Sequence, residues 1–428
     1  MKSCQKCFRL FDDTSGFCPI DGEKLTVADP AAPPRQADDE RIGKTTNGRY
    51  VLWRTVADGG MGRVYQALDT GHRPPGNAAG AVTHRGVALK ILHPEVAVDA
   101  VSVERFKREY EVSAGLPHDH IVEVHSFERT DDNSYALVME YLEGEELRMF
   151  LKREKTMPPE RVIRMASQVA LGLAGAHAKR QVHRDLKPDN LFLCHTADGD
   201  RTKILDFGSV RDNNENAKKL TVMGTTIGSP YYMAPEQAQG LASLDHRADV
   251  WSLAAIVYEC LTGRVPFFGN TGPAILLAIL TQEPVPISQA GKDQNLPETL
   301  DDPIDIALAK SPDIRPPSIG GFADALGGAF GLPGSHADWA KMTETALRES
   351  IAENLPKHLL AVKERAAHAP NLAAMDAAFR DVKQGDNEGL PQDYVIMGLP
   401  TARPSWFLPV IVGGAALVLG VVLILVLT

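Results

Sequence analysis

The chain has 428 residues, a formal net charge of -10, 44% hydrophobic and 23% charged residues, a globular composition with room for more than one domain. The acidic balance argues against a nucleic-acid partner, which needs a basic face to displace counterions. Five cysteines, three of them before residue 20, imply no disulfide framework.

Residues 1–26 contain CQKCFRLFDDTSGFCPIDG, with a Cys4-x-x-Cys7 pair and Cys18 opening a second turn. Where a fourth cysteine would complete a zinc knuckle stands Asp21, and no histidine occurs in the first 28 residues. Zn²⁺ accepts both thiolate and carboxylate, so Cys4, Cys7, Cys18 and Asp21 form a candidate metal set. Asp12, Asp13 and Glu23 are the other local carboxylates, and a reduced, metal-free turn is the alternative. The opening MKSCQKCFRLF lacks the apolar run of a signal peptide. Residues 27–48, rich in Pro, Ala and Asp, read as a flexible linker.

The stretches YVLWRTV, RVYQAL, GVALKIL and YALVMEY predict strands. The segment TGHRPPGNAAGAVTHRG between two of them reads as a strand-to-strand insertion. Further on, RVIRMASQVALGLAGAHAK and ADVWSLAAIVYECL carry apolar residues at helical spacing. A strand-rich part followed by a helix-rich part predicts two lobes with a cleft between them. Residues 333–400 hold further helix-forming segments, and residues 407–427, FLPVIVGGAALVLGVVLILVL, carry no charge over a length that suits a membrane span. Arg403 and Trp406 precede it as interfacial residues would, and Ala416 with Gly420 makes one small-xxx-small pair.

Candidate chemistry lies between these elements. In ADGGMGRVY, glycines between two strands let the backbone lie over phosphates. VALK places Lys90 at a strand end, suited to reach phosphates, and Glu109 in FKREYEV stands on a predicted helix where it can pair with that lysine. VHRDLKPDNLFL sets Asp185, Lys187 and Asn190 within one short turn. The carboxylate can take a hydroxyl proton, the ammonium can neutralise a moving phosphoryl group, and the amide can ligate Mg²⁺. ILDFG adds Asp206, a second hard oxygen ligand, and GSPYYMAPEQ closes the segment.

With these motifs in this order, the chain resembles the protein kinases over residues 49–328, specifically the bacterial membrane-anchored Ser/Thr kinases. The resemblance implies an α+β, bilobal protein kinase fold, with a small β-rich N-lobe, a larger helical C-lobe, and one C-terminal transmembrane helix. It implies that Ala57, Gly59, Gly62 and Val64 cover ATP, and that Ala88 and Phe192 enclose its adenine. Met139 takes the gatekeeper position, Glu140 and Leu142 offer hinge backbone groups, and Glu146 is a candidate for the ribose. Lys90, held by Glu109, binds phosphates. Asp185 orients the substrate hydroxyl, Lys187 stabilises the γ-phosphoryl, and Asn190 and Asp206 hold Mg²⁺ or Mn²⁺. His183, Asp249 and a Glu236–Arg315 ion pair are structural. Lys187 matches the Ser/Thr branch, and Ser229 keeps a hydroxyl where threonine is common. Arg184 before Asp185 is the arrangement of kinases switched by activation-loop phosphorylation, for which Thr221, Thr225 and Thr226 are candidates. Ala57 departs from the pattern by replacing the loop's first glycine.

The expected protein is a Ser/Thr kinase of the bacterial inner membrane facing the cytoplasm, acting on protein substrates, with homodimerisation as one route for its input. A pseudokinase scaffold would lack Lys90, Asp185, Asn190 or Asp206, and a purely zinc-dependent binding protein would not need them.

Overall fold

The apolar alternation after residue 50 becomes three long antiparallel strands, Tyr50–Asp58, Gly62–His72 and Thr83–Leu92. This computed structural model describes residues 1–30, 39–72, 83–207, 230–241 and 244–368. Thr45–Thr46 joins one edge of the sheet; Tyr135–Glu140 and then Val124–Arg129 complete the other. One sheet face buries Tyr50, Leu52, Tyr65, Ala67, Leu89 and Val138. The helix Ala100–Ala114 begins at Asp99, whose carboxylate accepts from the Val101 and Ser102 amides, and buries Phe106 against Leu92, Val124 and Leu137.

The second lobe is helical. In Pro159–Ala178 the buried residues Val162, Ala166, Val169, Leu173 and Ala176 recur at three and four, so one continuous stripe faces the core. Arg247–Thr262 is apolar on nearly all sides because other elements surround it, and it stops at Gly263, whose φ of 72° suits glycine. Trp251 stacks on Phe267 at 5.3 Å in the centre of this core. A small sheet, Gly144–Glu146, Leu191–Thr196 and Gly199–Ile204, links the lobes and positions the loops at its ends.

The structure differs from the sequence reading in three places. The cysteine module is not a loosely tethered appendage: its strands Lys2–Ser3, Leu10–Phe11 and Thr26–Val27 form a sheet, and Leu10 and Ala28 are buried with Val51, Trp53 and Leu68 of the N-lobe. Nor is 39–48 a free linker. Ile42 enters the N-lobe core, Thr45 and Thr46 pair with Val51 and Tyr50, and Asp39 accepts hydrogen bonds from Arg63 and Tyr65. Buried apolar contacts and a charge-assisted hydrogen bond outweigh the turn-forming composition there. Finally, the C-lobe core runs on past residue 333: Trp339 lies where a Cβ on Gly327 would come within 2.1 Å of its ring, and Leu347 is fully buried.

Among the described residues no helix is long and apolar enough to cross a membrane. The segment 407–427, residues 369–400, residues 31–38 of the expected linker and residues 73–82 of the expected insertion lie outside the described residues. The two ends of that insertion are strand instead, with His72 opposite Thr83 and Gly86 opposite Leu68.

Candidate active site

The two glycine-loop strands meet at a turn over Gly59–Met61, with the Gly59 amide donating to the Gly62 carbonyl at 3.1 Å. Gly62 is required there, since a Cβ would stand 2.3 Å from the Ile91 carbonyl oxygen. Gly59 and Gly60 have space around them, leaving the turn's backbone approachable. Ala57 pairs with Val64 just after a register shift between Thr55 and Ala57, and it is not among the residues with positive φ, so an alanine serves where the first glycine is missing. At the base of the turn Asp58 accepts from Arg63, and the His93 ring bonds the Gly59 carbonyl at 2.9 Å. No sequence motif flagged His93; its position directly after the lysine strand was the available signal.

Lys90 extends from the third strand and donates to both carboxylate oxygens of Glu109 at 2.9 Å, with Asp206 at 3.9 Å. Burial opposes the lysine's charge, but Glu109 and Asp206 outweigh it and hold its pKa above the usual value. Burial, with the charge of Asp206, pushes Glu109 up to about 7 against the pull of Lys90. Met139 is paired with Ala88 in register, and Glu140 follows with Val87 opposite. The Glu140 carboxylate accepts from the Glu123 amide at 2.8 Å and from Lys203. Leu142 packs among the N-lobe apolar residues. Phe192, on the small sheet, pairs with Glu146, whose pKa is raised by burial and by Asp189.

The loop carrying Asp185 is held from beneath by Asp249, which accepts the His183 and Arg184 amides at 2.9 Å and bonds the His177 ring at 2.8 Å. Burial opposes ionisation of Asp249, yet these partners keep its pKa below the ordinary carboxylate value. Arg184 takes a left-handed φ of 66° as the chain turns outward. Lys187 donates to the Asp185 carboxylate at 2.7 Å, and Asn190 donates to the Asp185 carbonyl at 2.7 Å and its carboxylate at 3.3 Å. Carboxylate, ammonium and amide thus share one network.

The His183 ring meets the Leu205 carbonyl at 3.1 Å and packs edge-on to Phe207 at 4.9 Å. With Phe207 fully buried in the C-lobe core, Asp206 is set toward Lys90 rather than away from it. Glu236 and Arg315 form a buried bidentate pair, both contacts at 2.7 Å, with the guanidinium 5.1 Å from the Trp251 ring. The residues brought together fit a nucleoside triphosphate with a divalent cation: an open glycine turn, a retained cation, and the hard donors Asn190 and Asp206. Thr221, Thr225, Thr226 and Ser229 lie outside the described residues.

At the N-terminus, Cys4, Cys7, Cys18 and Asp21 present ligand atoms within 4.8 Å of one another. Burial and the hydrogen bond to Asp21 push the Cys7 thiol up to about 12.

A five-stranded-plus-edge N-lobe, a helical C-lobe, and this cleft between them are the architecture of a protein kinase. The protein kinase domain family matches residues 50–321, and the chain belongs to it. It is 33% identical over 291 residues to the serine/threonine-protein kinase pkn3 of Myxococcus xanthus, covering 67% of this chain and 51% of that protein. With the serine/threonine-protein kinase PknA of Mycobacterium tuberculosis it shares 35% over 290 residues, 67% of this chain and 62% of the relative. It therefore spans between about half and three fifths of those relatives. The crystal structure of a mutant form of the Mycobacterium tuberculosis PknI kinase domain superposes with a TM-score of 0.50 at 28% identity, covering 69% of this chain and 99% of the other.

Proposed function

We propose that this chain is a Ser/Thr protein kinase that transfers the γ-phosphoryl group of ATP to serine or threonine hydroxyls of proteins. The observation that carries the reading is the closed Lys90–Glu109 pair beside Asp206, together with the Asp185–Lys187–Asn190 network. Lys90 orients the phosphates, and Glu109 keeps its ammonium in place. Asp185 accepts the hydrogen bond of the incoming hydroxyl and then its proton, while Lys187 offsets charge that builds on the transferred group. Asn190 and Asp206 would hold Mg²⁺, which when bound neutralises phosphate charge and fixes the reacting groups in line. Val64, Ala88, Met139, Leu142 and Phe192 enclose the base, and the hinge backbone at Glu140 and Leu142 reads its edge.

Regulation by phosphorylation of Thr221, Thr225 or Thr226, anchoring in the bacterial inner membrane through 407–427 with the kinase facing the cytoplasm, homodimerisation, and zinc at Cys4, Cys7, Cys18 and Asp21 belong to the same reading. The uncharged length of 407–427 supports the anchor, and the convergence of four ligand atoms supports the metal. The test is self-labelling by the purified chain with radiolabelled ATP and Mg²⁺, with phosphosites mapped beside Asp185→Asn. Labelling on serine or threonine that disappears in the variant is expected; equal labelling by the variant would sink the catalytic assignment.

A further inference from the structure

The N-terminal module is built from two copies of one turn. In the first, the Cys4 amide donates to the Arg9 carbonyl at 3.1 Å and the Phe8 amide to the Cys4 carbonyl at 3.0 Å. In the second, the Cys18 amide donates to the Glu23 carbonyl at 2.7 Å and the Gly22 amide to the Cys18 carbonyl at 2.9 Å, the same spacing residue for residue. Phe8 and Gly22, which close the two turns, both take left-handed φ angles, 58° and 67°. The leading sulfurs also accept backbone amides: Cys4 from Cys7 at 3.5 Å, Cys18 from Asp21 at 3.4 Å. Asp21 therefore occupies the position that Cys7 holds in the first turn.

All four ligand atoms lie within 4.8 Å of one another, and three of the six pairs come close to the spacing of a tetrahedral site. Zinc bonds of about 2.3 Å to sulfur and about 2.1 Å to oxygen separate tetrahedral ligands by about 3.6–3.8 Å. Here Asp21 Oδ2 is 3.4 Å from the sulfurs of both Cys4 and Cys18, and the Cys7 and Cys18 sulfurs are 3.7 Å apart. The strands around them are two residues each, and the apolar cluster at the ligands themselves is small, Cys4, Phe11, Cys18 and Leu25, while Leu10 and Ala28 are buried against the N-lobe instead. The two turns carry little core of their own, which suits a metal staple.

The strand that the turns hold, Leu10–Phe11, delivers Leu10 to the kinase. Gln66, fully buried in the second glycine-loop strand, accepts the Leu10 amide and donates to the Leu10 carbonyl, both at 3.3 Å. The same side-chain oxygen accepts from Arg54 Nε at 2.9 Å, and Arg54 donates to the Tyr141 hydroxyl in the hinge at 2.8 Å. Gln66 lies two residues from Val64, on the same face of the strand, and pairs with Ala88. The clamp thus ends beside the residues that enclose adenine.

We propose that Cys4, Cys7, Cys18 and Asp21 form a zinc centre whose occupancy sets nucleotide affinity through Leu10, Gln66, Arg54 and Tyr141. Gln66 and Arg54 are positioning residues: they touch no nucleotide and act by fixing the hinge. The proposal rests on the nucleotide-binding reading of the cleft, and its test separates the two. The full chain in detergent micelles is analysed for zinc by mass spectrometry, and mant-ATP binding in excess Mg²⁺ is titrated before and after stripping with a zinc-selective chelator. One zinc per chain is expected, with affinity for mant-ATP falling about fivefold or more on stripping and returning when zinc is restored. Asp21→Ala should bind mant-ATP as the stripped chain does, Asp21→Cys should hold zinc more tightly and keep the full affinity, and Gln66→Met should hold zinc while its affinity ignores stripping. Absence of stoichiometric zinc from both wild type and Asp21→Cys overturns the metal centre. Unchanged mant-ATP affinity on stripping overturns the coupling alone, whereas no mant-ATP binding in any state overturns the nucleotide reading beneath it.

Discussion

Lys90 and Glu109 illustrate how a single pair carries both geometry and pH response. Glu109 must be ionised to hold Lys90, yet burial and the Asp206 charge push its pKa up to about 7. A carboxyl with a raised pKa is charged above that value and neutral below it, so the pair opens as pH falls through about 7. The acid limb of kcat/KM is expected there at low Mg²⁺, and to move to lower pH as Mg²⁺ saturates, because the cation offsets Asp206. A pH–rate profile at two Mg²⁺ concentrations checks this; an acid limb that ignores Mg²⁺ counts against Asp206 as its cause. Replacing Asp185 by Asn removes the proton acceptor while keeping its shape, and turnover should fall by about 10²-fold or more in a peptide phosphorylation assay.

At the scale of elements, the glycine turn separates residues that look alike in sequence. A methyl group on Gly62 would meet the Ile91 carbonyl at 2.3 Å, so Gly62→Ala must displace one strand from the other. At Gly59 the nearest atom is 3.7 Å away, an ordinary contact. Steady-state kinetics should therefore show a raised KM for ATP in Gly62→Ala and little change in Gly59→Ala; equal effects would contradict the packing given for this turn. The alternating pattern in sequence located these strands but could not rank their glycines, because the clash comes from the neighbouring strand.

Across the whole molecule, stability depends on joints between distant segments. Glu236 and Arg315 are both buried, and Glu236→Gln leaves the guanidinium without its counter-charge. A loss of about 3–5 kcal/mol is expected, read as a lower midpoint in urea unfolding of the C-lobe. Trp339→Ala, which empties the space over Gly327, should cost about 3–5 kcal/mol in the same measurement. Were Trp339→Ala neutral, the segment beyond residue 333 would not belong to the C-lobe core.

The linear sequence determined the kinase motifs, their order and the two-lobe division, since each depends on local chemistry: glycines at a turn, a carboxylate and an amide in one loop, apolar residues at strand or helix spacing. It also brought Cys4, Cys7, Cys18 and Asp21 to notice as a set. Only the tertiary structure decided that the cysteine module is fastened to the N-lobe, that Asp39 and Ile42 belong to that lobe, and that Trp339 closes the C-lobe. The reason is that these depend on partners far away in the chain. A glutamine within VYQAL looks like a defect in a strand until Leu10, 56 residues earlier, supplies both halves of its hydrogen bonding.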